Sequence, residues 1–197
     1  MKSLTFCLTP QEVERRLANL GINCTFSAEE VETFATTPLV VRPERTIVFP
    51  TPRLNEYLNL KYIKSCVGTD PGRQPCFFEH PWYADEAFML RNCEPGWHVL
   101  LMDVLEDSIQ HPENYLHSAT RPSLRLPAAV EIVLMLFLHY VGTGEQLLLK
   151  KHTWCSDLAS MGRQVTVGAF GRNGVFISGH PPQFASRGLG VCAKVEV

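Results

Sequence analysis

At 197 residues, with 45% hydrophobic and 19% charged side chains, the chain has the composition of a folded domain rather than a disordered tail. Its formal charge of −2 speaks against a general polyanion binder, which carries a basic excess. Seven scattered cysteines and an opening stretch with no apolar run of signal-peptide length speak against a secreted disulfide framework, so a cytoplasmic protein with reduced thiols is expected.

Two short helices are expected first. Thr9-Pro10-Gln11-Glu12 is a capping box with proline in the first turn, Val13, Leu17 and Leu20 share one stripe, and Gly21 stops the helix. Ser27-Ala28-Glu29-Glu30 starts the second, with Val31, Phe34 and Ala35 turned inward as far as Pro38. Glu29, Glu30 and Glu32 make that helix acidic, and phosphate would repel it as a recognition helix. The pair reads as a structural cap over residues 1–37. Prolines 38, 43, 50 and 52 then punctuate two extended pieces, 39–42 and 46–49. Thr51-Pro52 resembles a further helix start, with Leu54, Tyr57, Leu58 and Lys61 on a stripe toward Tyr62.

Residues 65–96 form a loop-rich, acidic lobe. Asp70-Pro71-Gly72 is a turn, Pro75, Pro81 and Pro95 break long elements, and a short helix fits residues 83–90. Residues 97–105 (WHVLLMDVL) are strand-like and apolar on both faces, as inside a sheet covered on both sides. Residues 106–126 are a polar, proline-punctuated connection.

The most informative segment follows. Residues 128–141 (AAVEIVLMLFLHYV) form a helix that is apolar all round except at Glu131 and His139, so other structure must wrap it. The run is shorter than the ~20 residues that cross a bilayer, and no membrane span is expected. Gly142 and Gly144 end it, residues 152–155 are extended, and QVTVGAF-GRNG-VFIS is a β-hairpin turning at Asn173-Gly174. A loop and a closing strand over 191–197 complete the pattern. Helices early and strands late give a single α+β domain: a central buried helix packed on a mainly antiparallel sheet, with two short N-terminal helices.

Chemistry has several candidate seats. Between Glu79 and Glu113 eight acids face only Arg91, a field that could draw a cation or a basic partner. Within it, His80, Trp82, Tyr83, Asp85 and Glu86 offer the flat apolar walls and few polar groups of a small-molecule pocket, expected to approach His98 on the 97–105 strand. Cys66, Cys76, His80 and Cys93 supply soft ligands, but at spacings that lack the tight pairs of zinc sites. Cys155 is a candidate nucleophile with His152 nearby; in an extended segment the two point to opposite faces, so the thiol would need a distant histidine. Glu131 and His139, roughly 80° apart around their helix, could border one cavity, and a buried Glu131 could act as acid or base.

The glycine runs lack the order that cradles phosphate. The leading expectation is therefore a ligand-binding or protein-interaction domain with a small-molecule or protein partner and no nucleic acid. The alternative is a hydrolase or transferase using a Cys/His or carboxylate/His site, with a divalent metal as an option. No cofactor or metal site is assigned.

Overall fold

Two β-sheets close over one helix. The computed structural model describes residues 5–37, 45–53, 57–110 and 124–196. In chain order its regular elements are β1 (Thr5–Cys7), α1 (Pro10–Ala18), α2 (Ala28–Thr36), β2 (Thr46–Thr51), α3 (Leu60–Val67), β3 (Gly96–Leu101) and β4 (Leu124–Arg125). Then come α4 (Ala129–Thr143), β5 (His152–Leu158), β6 (Gln164–Gly171), β7 (Gly174–His180), β8 (Leu189–Gly190) and β9 (Lys194–Val195). The first sheet runs β1-β2-β3-β9-β4 and the second β7-β6-β5-β8. Within them β1/β2 and β5/β8 pair in parallel and the other neighbours are antiparallel. The fold is α+β with the apolar helix at its centre.

Residues 129–139 of α4 are buried without exception, including Glu131 and His139. Ile47, Phe49 and Leu100 from the first sheet and Cys155, Val165 and Val167 from the second share one core with it. The alternation of strand side chains explains the division. Ile47 pairs with Leu100 and Phe49 with His98, all turned toward α4. Val48 and Val99 turn the other way and meet Val195 in a separate outer cluster.

The two N-terminal helices carry the capping boxes read from the sequence. The helix α1 lies on α4, with Val13 and Leu17 buried and Arg16 Nη1 donating to the Leu138 carbonyl at 2.8 Å. The helix α2 buries no residue fully but sets Phe34 edge-on against Trp97.

Several expectations shift. The helix anticipated from Thr51 begins at Leu60 under an Asn59 cap, because Thr51 is still paired to Gly96 in the β2/β3 ladder. The 83–90 helix is two 3-10 turns, Pro81–Tyr83 and Ala87–Leu90. The closing strand expected over 191–197 is strand only at Lys194–Val195 (β9, first sheet), and the preceding loop contributes the short β8, Leu189–Gly190, to the second sheet. The extended piece at 39–42 and much of the 106–126 connection lie outside the described residues. No helix among the described residues is long and apolar enough to cross a membrane.

Candidate functional site: a buried carboxylate on the floor of a cleft

The ladder registers assemble the site. On the α4-facing side of the first sheet, Phe49 pairs with His98, Thr51 lies two residues further along β2, and Leu100 pairs with Lys194, itself opposite Arg125. Two residues apart on β3, His98 and Leu100 share that face. The face therefore presents Thr51, His98, Lys194 and Arg125 to the start of α4, where Glu131 occupies the first turn.

Glu131 is the hub, with 4% of its side chain exposed. Its Oε1 accepts from His98 Nδ1 at 2.7 Å and from Lys194 Nζ at 2.6 Å, and its Oε2 accepts from the Ala128 N–H at 2.6 Å. Burial by itself would raise its pKa. The hydrogen bond and charge of His98, joined by Lys194, outweigh burial and hold it at about 2. A second carboxylate serves the same helix end: Asp157, from β5, accepts from the Ala129 N–H at 2.6 Å and from Arg91 Nη1 at 2.9 Å. Both acids satisfy orphan backbone donors and complement the helix dipole.

On its other side His98 Nε2 lies 2.8 Å from Thr51 Oγ1, 3.0 Å from the Glu94 carbonyl and 3.7 Å from Cys93 Sγ. The Thr51 hydroxyl is also 2.7 Å from that carbonyl. The ring is thus held on both sides, by Glu131 at Nδ1 and by Thr51 and the Glu94 carbonyl at Nε2. Cys93 is enclosed, and burial followed by the charge of Glu131 pushes its thiol pKa well up.

A cleft of about 860 Å³ opens over this cluster. Glu131 and Lys194 line it together with Arg91, Glu94, Trp97 and Ser156. Its volume lies in the range of small-molecule sites.

The other sequence candidates are dispersed. Glu131 and His139 do not border one cavity. His139 sits toward the far end of α4 with Nδ1 at 3.2 Å from the Glu145 carbonyl and its ring edge-on to Phe6. Cys155 points into the core and His152 to the opposite face beside Phe176, as alternation requires. The Cys155 thiol donates to the Thr153 carbonyl at 3.8 Å, and burial drives its pKa well up. No histidine among the described residues bonds it.

The acidic-lobe group does not approach β3; it braces the second sheet. Trp82 donates its indole N–H to the Ile177 carbonyl at 3.1 Å and lies under the Arg163 guanidinium at 4.8 Å. Glu86 accepts from the Ser160 N–H and hydroxyl at 2.7 and 2.6 Å, and these bonds lower its pKa. Tyr83 is buried, which pushes its pKa up to about 12, and donates to the Phe78 carbonyl. His80 meets Phe176 edge-on and Asp85 is exposed. None of these five lines the cleft. Among the described residues no three His, Cys, Asp or Glu side chains converge as metal ligands.

Sequence reading singled out Glu131 and His98, but apart from one another, and it passed over Lys194 and Thr51. One signal for Lys194 was present: it is the sole cation in the apolar closing run VCAKVEV. Comparison with family models, curated proteins and solved structures finds no match for this chain, so the site rests on its own geometry.

Proposed function

We propose that the chain is a small-molecule-binding domain whose ligand occupies the cleft at the start of α4. One observation carries the reading. A fully bonded, buried Glu131 locks His98, Lys194 and the helix end together, so the polar wall of the cleft is fixed before any ligand arrives. Apolar surface from Trp97, Leu126 and Val195 flanks that wall, the composition expected of a ligand pocket. Seven free cysteines support a reducing, cytoplasmic setting for it.

The test is a screen of polar small molecules by two-dimensional NMR of the labelled protein. Hits should move the Trp97 indole and Ser156 amide resonances saturably, and Asn92→Ala, at the cleft wall, should weaken them tenfold or more. Hits that instead cluster on Trp82 or Tyr57, or no saturable hit, would refute the reading.

A second reading, an acyl-transferring hydrolase, is favoured by the order Cys93–His98–Glu131, with steps of 3.7 and 2.7 Å. Thiol, imidazole and carboxylate in that sequence are what an activated nucleophile requires. Iodoacetamide at neutral pH separates the readings. The binding reading expects exposed Cys7 to label long before Cys93, and preferential labelling of Cys93 would favour the enzyme.

A further inference from the structure

The cleft is lined by three cations, Arg91, Arg125 and Lys194, and by three carboxylates, Glu94, Glu131 and Glu196. The formal charges of these six lining side chains cancel, so a simple anion or a simple cation gains little net attraction there. The pairs differ in tightness. Lys194–Glu131 is closed at 2.6 Å on the floor, and Arg125–Glu196 is closed at 2.9 Å at the rim. Arg91 and Glu94 stand 3.7 Å apart, beyond a hydrogen bond, with side chains 40% and 68% exposed.

Arg91 is nevertheless held in place. Its Nη1 donates to Asp157 Oδ1 and Ser156 Oγ, which leaves Nη2 on the side facing Glu94. A fixed cation beside an open carboxylate, next to an apolar wall, has a definite chemical complement. It is a molecule carrying a carboxylate and an ammonium close together on an aliphatic body.

Building on the binding reading above, we propose that the ligand is an amino-acid-like zwitterion. Its carboxylate is taken by Arg91 Nη2 and its ammonium by Glu94, and the pair opens to admit it. Its side chain lies against Trp97, Leu126 and Val195. Each surface charge that the ligand displaces from its partner is matched by one the ligand brings, so neither protein charge is left unpaired in the bound state.

The experiment compares leucine, N-acetyl-leucine and leucine methyl ester by calorimetry and ligand-observed NMR, on the intact protein. Leucine should bind, and each blocked form should bind at least tenfold more weakly. Glu94→Gln should weaken leucine by a similar factor while leaving the affinity of N-acetyl-leucine unchanged, since that compound has no ammonium for Glu94 to hold. Arg91→Gln should weaken leucine and leave the methyl ester unchanged, but it also strips buried Asp157 of a partner, so E94Q, with thermal melting followed in parallel, is the decisive variant.

If all three compounds bind equally in the cleft, or E94Q leaves leucine binding intact, the zwitterion assignment falls and the binding reading stands. If neither these compounds nor the broader screen perturbs Trp97 or Ser156, the binding reading falls with it.

Discussion

Glu131 is a carboxylate in a place that admits one only under strict terms. It sits under the start of a helix and accepts from an imidazole, an ammonium and a backbone amide. Its folded pKa of about 2 lies below the ordinary value near ~4.3. Its contribution to stability is therefore complete above pH ~4.3 and is lost as pH falls through about 2, and the shift corresponds to about 3 kcal/mol. Denaturant titrations between pH 7 and 2 should show this decline in the wild type. Glu131→Gln should be destabilised near neutrality by about 3 kcal/mol and show a much flatter acid limb. The thiols give a second prediction. Cys7 is exposed and Cys66 half-buried, while the other five are buried. A thiol reagent should therefore modify two cysteines in the native protein and all seven only after unfolding; early modification of Cys155 would contradict its placement. At this scale the sequence was informative where one polar residue interrupts an apolar run, as Glu131 and His98 do. Which interruption meets which depends on strand register between distant segments, and no local pattern encodes that.

The elements tell the same story in reverse. Both capping boxes, the apolar helix and the Asn173-Gly174 hairpin were legible because each is written within a few adjacent residues. The hairpin also depends on Gly174, at φ +94°, where a Cβ would fall 2.5 Å from the Cys76 carbonyl. The Thr51-Pro52 helix start was misleading because pairing to β3 outcompetes a local cap. The aromatics of the acidic lobe anchor it to the second sheet rather than bring it to β3, a distinction the sequence hides because anchoring and binding draw on the same residue types. Trp82 tests this directly. It bonds the Ile177 carbonyl and meets Arg163 and Tyr83, so Trp82→Ala should lower stability by roughly 2 kcal/mol, less than the ~3–5 of a fully buried tryptophan. Thermal denaturation measures it, and NMR hits in the cleft should bind this variant normally when it is folded.

The molecule as a whole is joined by the segment that leaves β8 and enters β9. Between them, Val191 and Cys192 donate from their backbone N–H groups to Ser108 Oγ and Thr153 Oγ1 at 2.8 and 2.7 Å, and the Ala193 carbonyl accepts from Leu101. The two sheets thus share a core helix and the extended segment 191–193 that links β8 to β9. Val191→Pro deletes one of these donors within a buried cluster. Hydrogen exchange should then show weaker protection in β3 and β5 together. A loss confined to one sheet would show that the segment does not couple them.

That crossing also sets an order of events during synthesis. Strands β3 and β4 have no ladder between them until β9 arrives, though β9 lies far downstream of both. A growing polypeptide that had already made β1, β2 and β3 would present β3 as a naked edge, with the Leu101 amide, which donates to the Ala193 carbonyl in the fold, unsatisfied until its late partner emerged. Where one short strand is encoded thus leaves a sheet edge open until translation is nearly complete.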